Sequence, residues 1–142
     1  MMKRTLAFLL TVIMIVSAAA PAVFAVEIGD EGIQPRYTRL VTFDIDLSID
    51  AKGKTTSYAC ATSSSGSDKI NLTMELQQKV DEKWKTIKTW TNSGTFSVSL
   101  DDKTWYVAEG YEYQTVATAY VYNSNGVWQE TASAVSFVES YP

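Results

Sequence analysis

The 142-residue chain contains no histidine, one cysteine, and twelve basic against sixteen acidic residues, for a formal net charge of −4. The lack of histidine removes Ser-His-Asp and Cys-His nucleophile activation, histidine general bases and histidine metal sites. A lone Cys60 leaves no intramolecular disulfide, and the acidic balance argues against nucleic acid, which is held through clustered Lys and Arg.

At the start, Lys3 and Arg4 precede an apolar run from Leu6 to Val16, the small residues Ser17 to Ala20, and a further cleavage motif at Val23-Phe24-Ala25. That layout predicts a secretory signal peptide over residues 1–25. The run is too short for a hydrocarbon core that needs ~20 apolar residues, so no membrane span is expected after cleavage. The expected location is secreted, or extracellular. The signal holds two basic residues and no acidic one, so residues 26–142 carry a net charge of −6. Their length suits one domain, able to bury about two-thirds of its unfolded surface. Cys60 lies far from the signal and is expected to be a small buried hydrophobe on a strand.

Residues 26–36 show no period and read as a flexible leader, with the domain over 37–142. From there alternation with period two dominates, the mark of half-buried strands. Val41, Phe43, Ile45, Leu47 and Ile49 are predicted to face inward on the first strand, with Thr42, Asp44, Asp46 and Ser48 outward. Asp50 to Gly53 reads as a turn, and Lys54 to Thr62 as the second strand. Ile70, Leu72, Met74 and Leu76 mark the inward face of a third that reaches Lys79. Asp81-Glu82-Lys83 is a turn, Trp84 to Trp90 a fourth strand, and Asn92-Ser93-Gly94 another turn. Phe96, Val98 and Leu100 are expected inward on the fifth, after which Trp105 to Val107 form a short strand or a packed crossover. Tyr111, Tyr113, Thr115, Ala117, Ala119 and Val121 share one side of a long strand. Asn123 to Gly126 signals a tight hairpin, because Asn and Gly accept positive φ. Val127 to Val138 returns as the last strand. About seven strands without a helical period predict an antiparallel β-sandwich. Asp44 and Asp46, with Lys85 and Lys88, have the charge that guards edge strands.

Gly110-Tyr111-Glu112-Tyr113, leading into Thr115, Ala117, Ala119 and Val121, resembles the penultimate strand of immunoglobulin-like and fibronectin type III sandwiches. The resemblance implies that Tyr113 or Tyr111 ties a corner through its hydroxyl. A broader likeness rests on the signal peptide, Ile33-Gln34-Pro35-Arg36-Tyr37, Lys52-Gly53-Lys54, the strand with Cys60, Leu76-Gln77-Gln78-Lys79 and Trp84 to Trp90. In these the chain resembles small secreted proteins of Gram-positive, particularly clostridial, bacteria whose function is unknown. The likeness implies export and an all-β fold, and assigns no active residue.

Three chemistries remain open to these residues. Asp44 and Asp46 have a spacing that suits a carboxylate pair in glycoside hydrolysis, though surface pairs of this kind are common. Asp101 with Asp102, or Asp81 with Glu82, are oxygen ligands by type, yet no spacing matches a calcium loop, and no metal or cofactor is expected. Asn71-Leu72-Thr73 fits a glycosylation acceptor inside a strand and reads as coincidence. The aromatic residues carry more. Tyr120 and Tyr122 lie on the strand face opposite Ala119 and Val121, and Trp128 flanks the same hairpin. Together they predict an outward platform for a glycan or a protein at the cell surface. Trp84 and Trp90, six positions apart, are expected on one face. The resulting expectation is a secreted, non-catalytic binding module. The alternatives are a self-associating extracellular structural protein, and, less supported, a carboxylate-dependent polysaccharide hydrolase.

Overall fold

The structure, a computed structural model, describes residues 26–27 and 36–142. The predicted signal peptide and most of the leader lie outside them. The alternating segments form strands β1 (Val26–Glu27), β2 (Leu40–Ile49), β3 (Lys54–Ser63), β4 (Lys69–Val80) and β5 (Lys83–Thr95). They continue with β6 (Ser97–Tyr106), β7 (Tyr111–Tyr122), β8 (Trp128–Val135) and β9 (Glu139–Tyr141). One sheet has the order β2-β3-β6 and the other β1-β8-β7-β4-β5, with β9 paired to the far end of β7. All pairings are antiparallel except the short β1 on β8.

This is an immunoglobulin-like β-sandwich. Its first, second and fifth long strands make one sheet, and its third, sixth and seventh the other. The fourth, β5, stays with β4 instead of crossing to the opposite sheet. Large aliphatic side chains on β4, Ile70, Leu72, Met74 and Leu76, fill the gap between the layers. The strands on either side of that gap are lined with small residues: Ala59 and Ala61 on β3, Ala117 and Ala119 on β7, Ala132 and Ala134 on β8. Leu40, Phe43, Val98 and Leu100 close the core from the smaller sheet. Big against small lets the two faces interdigitate at interior density.

Tyr113 settles the corner. Its ring is fully buried against Leu47 and Leu76, and its hydroxyl donates to the Ala108 carbonyl at 2.6 Å. Tyr111, two residues earlier, is 41% exposed and makes no such tie. At the β2–β3 hairpin beside this corner, Gly53 sits at φ +77, and a Cβ there would lie 2.8 Å from the Val107 carbonyl oxygen. Only glycine accepts both the positive φ and the close approach. Asp50 holds the same turn by accepting from the Lys52 and Lys54 amides at 2.8 and 3.0 Å.

Where the structure departs from simple alternation, the cause is a bulge or a crossing. A bulge at Val41 turns Leu40 into the core and leaves Val41 64% exposed. A second bulge, at Ile87, separates the tryptophans: Trp90 stands opposite the buried Met74 and packs on the core, whereas Trp84 stands opposite Lys79 on the outer face. The expected shared face is therefore wrong, because one inserted residue inverts every side chain beyond it. Asp101 and Asp102 form a third bulge, with Asp102 at φ 46, inside a continuous β6 that runs on through Trp105.

Asn92 to Gly94 is not a turn. β5 continues to Thr95 along β4, and the chain crosses sheets at Phe96, which has φ 69 and is 45% exposed rather than inward. Cys60 also departs from expectation: it alternates with Ala59 and Ala61, so it lies half-buried on the outer face, 4.0 Å from Asp44. The last strand divides at Ser136, whose hydroxyl accepts the Thr115 amide at 2.8 Å, giving eight strands beyond the leader rather than seven. β2 and β5 are indeed edge strands, so Asp44, Asp46, Lys85 and Lys88 occupy edges. Lys88 lies over the Trp105 ring at 4.6 Å, a cation–π contact between the edge strands of opposite sheets.

Candidate functional site

The β7–β8 hairpin is built from its own turn residues. Asn123 Oδ1 accepts the Asn125 and Val127 amides, each at 3.0 Å, and Gly126 supplies φ +77. Just beyond, a register shift brings Trp128 opposite Tyr122 while Glu130 stands opposite Val121. That shift places Trp128 on the outer face, where it is 57% exposed, and turns Glu130 inward. Trp128 Nε1 donates to Thr131 Oγ1 at 2.8 Å, and Thr131 faces Tyr120 across the ladder. Tyr120 and Tyr122 thus share an outer face with Trp128, which only the register shift brings there.

The platform does not stop at the hairpin. Ladder register aligns Ser93, Asn71, Tyr120 and Thr131 in one row across the four long strands. The next row holds Thr91, Thr73, Thr118 and Ser133, with Thr118 and Ser133 hydroxyls 3.2 Å apart. The row on the other side holds Thr95, Lys69, Tyr122 and Trp128. Between β4 and β5 runs a shallow groove of about 450 Å³ lined by Asn71, Thr73, Thr91 and Ser93. The outer face is therefore an aromatic corner that opens onto hydroxyl and amide groups, with Lys69 as the single charge in these three rows.

The other candidate residues are dispersed. Asp44 and Asp46 are exposed on the outer face of edge strand β2, away from both clefts. Asp46 accepts the Leu47 amide at 2.9 Å. On that face the Tyr58 hydroxyl is pushed up to about 12, first by its interaction with Cys60, then by desolvation and the charges of Cys60, Asp101 and Asp44. A second negative charge is unfavourable there. Asp81 and Glu82 make a tight turn at φ 51 and 62 beside a cleft of about 500 Å³. Lys79 pairs with Glu82 at 3.5 Å and Glu112 at 3.4 Å in that cleft. Among the described residues no three His, Cys, Asp or Glu side chains come together to hold a metal ion.

Two carboxylates that sequence reasoning passed over position the rest. Glu130 accepts the Thr38, Arg39 and Leu40 amides at 2.8, 2.9 and 3.1 Å, fixing the entry of β2 beneath the hairpin. Asp68, fully buried, takes a two-pronged hydrogen bond from Arg39 at 3.0 and 2.8 Å and one from Ser63 at 2.6 Å. The only sequence signal is for Glu130, an acidic residue within an otherwise neutral stretch. No protein-family model matches the chain, and no curated protein matches it.

Proposed function

We propose that the chain is a secreted, non-catalytic binding module that takes an uncharged glycan across the outer face of β8, β7, β4 and β5. The observation that carries this reading is the juxtaposition of Tyr120, Tyr122 and Trp128 with the rows of Asn71, Thr73, Thr91, Ser93, Thr118 and Thr131. A sugar ring presents an apolar C–H face and a rim of hydroxyls. Aromatic faces match the first, and amide and hydroxyl side chains match the second. The near-neutral character of these rows favours a neutral chain over an anionic one. The signal-like amino terminus and the resemblance to secreted Gram-positive proteins favour cell-wall or host-surface polysaccharides as the source.

The test is retention of the purified protein on immobilised neutral and anionic polysaccharides at low and high salt. Binding to a neutral glycan that is unchanged by salt is expected, because screening acts on charge–charge attraction. Tyr120→Ala and Trp128→Ala are each expected to weaken it about tenfold, or ~1.4 kcal/mol. Full binding by the double variant would discard the platform.

A further inference from the structure

Four long strands lie at the borders of the sandwich, β8 with only the two-residue β1 beyond it among the described residues, and three carry exposed charge: Asp44 and Asp46 on β2, Lys83 and Lys85 on β5, Asp101 and Asp102 on β6. β8 does not. Its residues are Trp128 to Val135, and its single charged side chain, Glu130, is turned inward and occupied by three backbone amides. Charged edges repel added strands, and an edge without them accepts one.

The backbone agrees. The Ser136 amide donates to the Thr115 carbonyl of β7. Because successive residues of a strand alternate in the direction of their N–H and C=O, Thr131, Ser133 and Val135 turn theirs to the free side. A strand is already added there: β1 pairs with β8 at Ala134 and Val135 and leaves the stretch from Trp128 to Ser133 open among the described residues. Exposed apolar side chains lie at both ends of this edge, Val127 and Trp128 at one and Phe137 and Val138 at the other.

We infer that β8 is an assembly edge whose occupant is the β8 of a second copy of this chain, joined antiparallel about a two-fold axis. An isologous pairing of this kind closes on itself and stops at a dimer. It makes the two larger sheets continuous and sets the two outer faces side by side. The acidic chains meet along the one long border strand that carries no exposed charged side chain of its own. The inference stands independently of the glycan reading, since it rests on the edge and not on the aromatic face.

Light scattering of the purified chain over a wide concentration range tests it without any glycan. A mass that rises from one copy to two is expected. Ser133→Lys puts a charge at the edge, and Ser133→Pro removes an edge-facing N–H that β7 does not use. Both variants are expected to remain at the mass of one copy at concentrations where the parent is paired. Melting curves identify which of the two keeps the fold, and the folded one is read. A parent that stays at one copy throughout, or a folded variant that pairs like the parent, overturns the inference.

Discussion

Replacing Asp68 with Ala is expected to lower the unfolding free energy by about 3 kcal/mol, the lower end of the range for a broken buried ion pair. The lower end applies because the Arg39 side chain keeps 33% of its surface in water and recovers part of its hydration. The loss is still large, because the Asp68 carboxylate ties two segments together, while its backbone ties two more that the substitution retains. Its carboxylate holds Arg39 before β2 and Ser63 at the end of β3. Its amide donates to Ser65 in the loop, and its carbonyl accepts the Phe96 amide where the chain crosses sheets. Equilibrium denaturation by urea measures the change. Asp68→Asn keeps the shape and removes the charge, and is expected to fall between the parent and the Ala variant.

The same carboxylate sets an acid limit. Burial raises its pKa, but the Ser63 hydroxyl and the Arg39 guanidinium outweigh that and hold it below the ordinary carboxylate value. The unfolded chain then binds the proton more tightly than the folded one. The stabilisation is complete above the unfolded carboxyl pKa of ~3.9 and disappears as pH falls through the lower folded value. Urea midpoints measured from pH 6 downward are expected to fall less for Asp68→Asn than for the parent. Equal slopes would remove Asp68 from the account of acid sensitivity.

Strand faces were legible wherever the ladder is unbroken. Ile70, Leu72, Met74 and Leu76 are all buried as alternation required, and so are Tyr113, Thr115, Ala117, Ala119 and Val121. Bulges were not legible, because an inserted residue is chosen by the partner strand rather than by its own neighbours. Val41, Ile87 and the Asp101–Asp102 pair have no local mark, yet each inverts the pattern beyond it. The site divides in the same way. Tyr120 and Tyr122 follow the alternation of β7 and were legible, whereas Trp128 reaches the same face through a register shift that alternation does not show. The groove residues Thr91 and Ser93 are far away in the chain, and reading Asn92 to Gly94 as a turn hid the half of β5 that carries them. Gly94 invites that reading, but its role is space: a Cβ there would lie 2.5 Å from the Ser97 carbonyl oxygen. The chain needs glycine to fold β6 back across β5, not to reverse direction.

Tyr113 separates the corner's hydrogen bond from its packing. Tyr113→Phe retains the ring against Leu47 and Leu76 but leaves the Ala108 carbonyl without its 2.6 Å donor and Gln78 without the 3.1 Å acceptor. A loss of ~1 kcal/mol is expected for one partly buried hydrogen bond, Ala108 itself being exposed. Tyr113→Ala also empties the space of the ring and is expected to cost ~4 kcal/mol. In a domain of this size each kcal/mol lowers Tm by about 4 to 8 °C, so thermal melts resolve the two steps. Tyr111→Phe is the control: with 41% exposure and no corner bond, it is expected to change stability by less than about 0.5 kcal/mol. Burial pushes the Tyr113 hydroxyl up, against the smaller lowering effects of Gln78 and Ala108. The folded chain therefore holds this proton more tightly than the unfolded one. Its contribution is whole below an unfolded tyrosine pKa of ~10 and is lost as pH rises through the folded value. The stability gap between parent and Tyr113→Phe should accordingly narrow in alkali. A gap that is constant up to high pH would mean that the ring alone, and not its hydroxyl, secures the corner beneath β7.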